Sequence, residues 1–255
     1  CLFLIPALIS VTTKATAKAD TAGLGTDSNT VTNSTVNTSA TITINNGTNL
    51  NGHNLTLEAV VTGINIDALA DSRADALGAD SDSRSTVNTT SLANIYLDAA
   101  TKLYGEINTK MAARHDSLLT YSKARAETNG AGGDTDANAY NTLNTTTNIT
   151  TLTGSVIETR HLLVEANVPY QPTYSTTAQN YGAVIDMGEA VSDRTLSLNR
   201  TIDFNSRVIM LGAESPKLVV DANGNIVEQV NVTVDNLASV INVHDINNDT
   251  FWGSV

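Results

Sequence analysis

The chain has 255 residues, a formal net charge of -12 and one cysteine, with 4% aromatic and 16% charged residues. Such an acidic chain without a Lys/Arg cluster excludes a phosphate-binding role on nucleic acid, and a lone thiol excludes an internal disulfide. Its 37 Thr and 28 Asn, about a quarter of all residues, favour many short strands joined by tight turns over a helical fold, which needs more Leu, Glu, Lys and Gln.

The first stretch, CLFLIPALI, is apolar but interrupted by Pro6. It is too short to span a membrane and lacks the basic start of a signal peptide. Leu2 to Val11 is expected as a buried strand rung of a fragment of something larger; the other reading makes Cys1 the lipid-bearing first residue of a lipoprotein.

Three segments then repeat: Ala19 to Ala59, Ala74 to Ala113 and Ala126 to Ala166. Each opens on Ala and an acid, passes a Gly/Asp turn (Gly25/Asp27, Gly78/Asp80, Gly132/Asp134) and crosses an Asn/Thr patch. Each closes on an apolar strand ending in Ala: LTLEA, TKMAA and LLVEA. The closing Ala59, Ala113 and Ala166 set a period of about 53 residues, the mark of a repeat architecture. Alternation at Ile42/Ile44, Leu55/Leu57, Ile64/Ile66 and Ile95/Leu97 marks strands. A unit of this size divides into two or three coils of roughly 18 to 26 residues, stacked as a parallel β-helix. In ATAKAD and ALADSRAD the alanines are expected to point inward, with short helices as the alternative. ATITINNGTNLNGHNLTLEA reads alone as a hairpin; within the repeat, its Asn/Gly segment becomes a corner and its strands find partners one coil away.

Residues 1–168 are therefore expected as a β-solenoid of three repeats. Residues 169–182, rich in Pro and Tyr, read as a loop leaving the wall. Residues 183–255 read as further coils, or alternatively as a small separate β domain, with VVDANGNIV as a hairpin or tight corner.

Chemistry is sparse. His53, His115, His161 and His244 are never paired at ligand spacing and read as surface polar residues. No nucleophile elbow, P-loop or dinucleotide fingerprint occurs. Asp80 with Asp82 and Asp134 with Asp136 occupy corresponding turns, Asp27 standing at that place in the first repeat. Carboxylates in Gly/Asn-rich turns suit Ca2+, against the plainer reading of solvated turn residues. Asp245, Asn247 and Asp249 have the alternate spacing of a calcium loop but lack its glycine and terminal acid. Tyr170, Tyr174 and Tyr181 form a candidate sugar-binding lip. No catalytic residue and no cofactor other than possible Ca2+ is expected, and the chain is not read as an enzyme.

The recurring NLTLEA-like strand, the alternating alanines, the Gly/Asp turn and the Asn/Thr patch resemble the shafts of filamentous-haemagglutinin-type and leukotoxin-like bacterial adhesins. DFNSRVIMLGAESPKLVVDANGNIVEQVNVTV is similar to segments of very large secreted bacterial repeat proteins. The resemblance implies an all-β, right-handed parallel β-helix exported to the bacterial cell surface, serving as an extracellular structural or adhesive rod. Its partners would be copies of itself, adjoining repeats of the same polypeptide, or cell-surface glycans, with no nucleic acid and no membrane span. The alternatives are a self-assembling surface-layer or filament subunit and a polysaccharide-acting β-helix enzyme.

Overall fold

The computed structural model describes residues 2–168, 173–182, 185, 187–211, 218–220, 232–233 and 238–248. Among them every regular element is a strand. The elements are β1 (Leu2–Gly23), β2 (Thr26–Ile44), β3 (Asn49–Ala76), β4 (Gly78–Leu97), β5 (Lys102–His115), β6 (Leu118–Asn129) and β7 (Gly132–Thr151). They continue with β8 (Val156–Asn167), β9 (Thr173–Tyr181), β10 (Glu189–Phe204), β11 (Arg207–Met210), β12 (Leu218–Val220), β13 (Val232–Thr233) and β14 (Ala238–Asn248).

These strands build two sheets, and the chain visits them alternately. In one, β1 pairs β3, and β3 pairs β5 along its first half and β6 along its second; β8 follows β5 and β9 follows β6. In the other, β2, β4, β7 and β10 lie side by side. All of these pairings are parallel. Partners stand one period apart: Leu2 on Asn54, Thr26 on Ala79, Gly78 on Gly132, Asp136 on Glu189. The closing alanines are registered as Ala59 on Ala113 and Ala113 on Ala166.

One period is thus one circuit through both sheets. This corrects the expected division into two or three smaller coils, and the strands are correspondingly long, up to 28 residues. The apparent short strands are interruptions of long ones: the pairing of β1 on β3 shifts register between Ile9 and Ser10, and that of β3 on β5 between Gly52 and Asn54. Such bulges bend a strand without ending it. Thr173–Tyr181, expected in a loop, is a strand of the sheet; the Pro169–Pro172 stretch lies outside the described residues. No helix forms in the Ala-rich runs among the described residues.

The burial pattern follows from period-two geometry. Along β2 buried and exposed residues alternate from Ser28 to Ile44, so Thr and Asn at outward places face water while Ile, Val, Ala, Ser and Thr fill the space between the sheets. Ile42, Ile95, Ile149 and Ile202 stack in register and are all buried. Each such side chain contributes about 1.5–3 kcal/mol of hydrophobic stabilisation. Alanines 68, 70, 74 and 76 point inward as expected, where the sheets approach closely enough for Ser72 Oγ to meet Ser81 Oγ at 2.9 Å.

One corner recurs three times, at 45–48, 98–101 and 152–155. Gly47, Ala100 and Gly154 hold its left-handed position, with φ of 76°, 54° and 97°. The Asn-Gly segment is therefore a corner between sheets, as β2 pairs β4 rather than β3. Successive corners are laced together, Lys102 N–H donating to Thr48 C=O at 2.8 Å and Val156 N–H to Thr101 C=O at 2.9 Å.

The ends of the stack differ. β1 and β2 have no partner on their outer edges among the described residues. Within the described residues β1 is an edge strand, its Leu4 and Leu8 facing outward at 48% and 62% exposed while Ile5, Ala7, Ile9 and Val11 pack on the core. At the other end the parallel rule lapses: β14 covers β10 antiparallel and β12 covers β11 antiparallel. VVDANGNIV begins on β12, but residues 221–227 lie outside the described part.

Candidate functional site

The acids of the Gly/Asp turns stand on strands, which corrects their expected placement: Asp27 opens β2, Asp80 and Asp82 open β4, and Asp134 and Asp136 open β7. Asp27, Asp80 and Asp134 are in register, as are Asp82, Asp136 and Glu189. Strands about 4.8 Å apart hold like charges close together. Burial, then Asp80, Asp136, Asp134 and Asp27, push the Asp82 carboxyl up to about 6. Asp80 is also raised, by burial and then by Asp27, Asp134 and Asp136. A shallow depression of about 540 Å³ runs across this corner, bordered by Asp27, Asp80, Asp134, Leu77 and Met187.

A carboxylate ladder on a flat sheet aims its oxygens outward along one line, whereas a calcium site wraps six to eight oxygens around a point. Among the described residues no three His, Cys, Asp or Glu side chains are gathered to hold a metal ion. Asp245 and Asn247 lie in extended β14, in register with Ser192 and Ala190; Asp249 is outside the described residues. The tyrosines are not brought to one lip either. Tyr174 is in register with Thr120 and Tyr181 with Glu127, separated by seven extended residues or about 23 Å. Tyr170 lies outside the described part. Tyr181 is half exposed and holds the Arg125 guanidinium 5.2 Å from its ring centroid.

His115 overturns the surface reading of the histidines: it is 3% exposed, between the sheets. Thr38 donates to Ser91 Oγ at 2.7 Å, and Ser91 Oγ lies 2.8 Å from His115 Nε2. His115 Nδ1 lies 3.1 Å from Thr147 Oγ1, which donates to the Asn167 carbonyl. Only one assignment satisfies every member: Ser91 donates to Nε2, and the ring is neutral with its proton on Nδ1. Burial accordingly pushes the imidazole down to about 4, against a smaller opposing pull from Asp116. This Ser–His pair has no path to a substrate, since Ser91 is 1% exposed; it ties three strands of one sheet to two of the other. His53 pairs with Glu106 at 2.8 Å on the surface, His161 is exposed, and His244 is registered with Asp193.

Sequence reading missed the outer charge ladder. Outward positions of neighbouring strands alternate in sign: Lys18, Asp71 and Arg125 form one rung series, and Asp20, Arg73 and Glu127 the next. Lys18 and Asp71 stand 3.6 Å apart, and Lys110 reaches Glu58 at 2.9 Å. The signal was present as opposite charges one period apart, invisible until that period is taken as one coil. Asn148 Nδ2 likewise donates to Asn94 at 3.2 Å across strands.

Among the described residues no helix is long and apolar enough to cross a membrane. Comparison with protein-family models, curated proteins and solved structures returns no match.

Proposed function

We propose that this chain is a segment of a right-handed parallel β-solenoid that serves as an extracellular structural or adhesive rod of a large bacterial surface protein, without catalytic activity. The observation that carries the reading is the unbroken parallel register at one period across β2, β4, β7 and β10, which the other sheet keeps through its bulges. Each circuit adds only about 4.8 Å of height while a 20-residue strand spans about 65 Å. The section is therefore wide, the arrangement that resists bending, and length comes from adding coils. Outward Asn and Thr offer a neutral, hydrogen-bonding wall to neighbouring copies or to cell-surface glycans.

Single-molecule pulling tests the mechanical role. Detaching one 53-residue circuit frees about 180 Å of chain, so force peaks are expected at that spacing. Release of the whole chain in one step at low force would sink the reading.

A further inference from the structure

We infer that the corner leading from β1, β3 and β6 into β2, β4 and β7 is a docking groove for a basic amphipathic helix of a partner protein, laid along the axis of the stack. The groove requires the stacked corners alone, so it stands or falls apart from the mechanical role proposed above.

The two corners of a circuit differ in a way that turning the chain does not explain. The corner at 45–48, 98–101 and 152–155 exposes no large apolar side chain and is laced by backbone hydrogen bonds. At the other corner Leu77 and Met187 are 67% and 74% exposed, with Leu24 and Ile185 exposed beside them. Leu77 has a circuit stacked on either side of its own and is still in water, so it faces off the side of the stack. A further coil at either end lengthens this ridge and leaves it uncovered.

Beside the ridge, the shallow depression of about 540 Å³ has a bare floor at Gly25, Gly78 and Gly132. Gly78 and Gly132 are in register, and neither has a left-handed φ. A Cβ added at Gly78 would meet nothing within 4 Å, and one at Gly132 only the Ile185 carbonyl at 3.9 Å. Neither turn geometry nor crowding calls for glycine at these two places; its effect is a stretch of backbone that another polypeptide can approach closely. The far wall is acidic, Asp27, Asp80 and Asp134 in one row and Asp82 with Asp136 in the next. Among the described residues no Lys or Arg is ion-paired with these five. The acids of the other sheet do meet cations of a neighbouring strand, Asp71 with Lys18 and Glu58 with Lys110.

An apolar wall and an acidic wall on either side of a bare floor fit a partner that carries an apolar stripe next to a cationic one. A free divalent cation or a polyamine answers the acidic wall alone and leaves Leu77 and Met187 in water. A helix offers both stripes at i, i+3 and i+4. Its turn of about 5.4 Å advances nearly as far as one circuit of about 4.8 Å, so successive Lys or Arg residues meet successive carboxylates. An extended strand repeats a face only every 6.6 Å or so and falls out of step. Four corners span about 14 Å, close to three helical turns.

The test titrates the 255-residue chain into a dye-labelled helical peptide of about three turns, with Lys along one stripe and Leu along the next, and reads fluorescence anisotropy at low salt. Saturable binding is expected, and a scrambled peptide of the same composition binds about tenfold more weakly or worse. Asp80→Asn combined with Asp134→Asn is expected to weaken binding about fivefold, as two exposed ion pairs would. Leu77→Ser costs about tenfold through lost apolar contact, and Gly78→Gln, which fills the floor, costs about as much. Asp71→Asn, a change of charge on the other sheet, leaves the affinity unchanged. Leu77→Ser and Gly78→Gln alter outward positions and are expected to keep the far-UV circular dichroism of the parent; either one suffices to test the groove. No saturable binding, equal binding of the scrambled peptide, or equal losses from Asp71→Asn and the ladder variant would overturn the proposal. So would displacement of the peptide by spermidine or Ca2+ together with a silent Leu77→Ser, which assigns the acid ladder to free cations. Force peaks at the circuit spacing are read without the peptide, so failure of the groove and failure of the rod reading are distinguishable.

Discussion

Ala100 occupies the left-handed corner position at φ 54° that glycine holds in the circuits before and after it, at Gly47 and Gly154. A Cβ there crowds the following carbonyl, at a cost of about 1–2 kcal/mol. Ala100→Gly is expected to stabilise the chain by about 1 kcal/mol once the added freedom of the unfolded glycine is discounted, read as a higher midpoint in denaturant at an unchanged slope. No gain would mean that the corner does not carry this strain. The corner was legible in the sequence because Asn-Gly announces itself. The role of His115 was not, for a lone histidine carries no local mark of burial; its surroundings come from Ser91 and Thr147, 24 and 32 residues away.

At the scale of elements, alternation of apolar and polar residues made the strands visible, and the repeated closing alanines gave the partner of each. The size of the coil was misjudged because bulges and bends at Gly52 and Ile9 break one long strand into pieces that look like several. The same parity separates two kinds of buried hydroxyl. Ser91 lies within the chain from Thr38 to His115, whereas the Thr89 hydroxyl, two residues earlier and equally inward, is buried without a partner. Removing a satisfied group strands its neighbours, while replacing an orphan by a methyl of the same shape relieves desolvation. Ser91→Ala should therefore cost about 1–3 kcal/mol and Thr89→Val should be neutral or stabilising. Urea unfolding of both variants decides it; equal losses would mean that the hydrogen-bond chain contributes nothing beyond packing.

Across the whole molecule, two strongly shifted groups, Asp82 and His115, act on acid stability in opposite directions. Asp82 titrates at about 6 when folded against 3.8 for the free side chain. The folded state thus holds more protons between these values, and stability falls as pH rises through the window. His115 titrates at about 4 folded against 6.5 free, so the unfolded state holds more protons. Its contribution is complete above 6.5 and is lost as pH falls towards 4, by an amount on the order of 3 kcal/mol. In the parent chain the two trends partly cancel between pH 4 and 6. Asp82→Asn removes the like-charge penalty, so it should raise the melting temperature at pH 7 and steepen the loss on acidification. His115→Gln should lower stability at pH 7 through lost packing and hydrogen bonds, yet leave a profile that rises as pH falls from 6 to 4. The other carboxylates are common to all three proteins, so the differences between profiles isolate these two groups. Parallel profiles for parent and variants would show that neither the acid ladder nor the buried imidazole governs stability, whereas slopes of opposite sign place both where the registers put them.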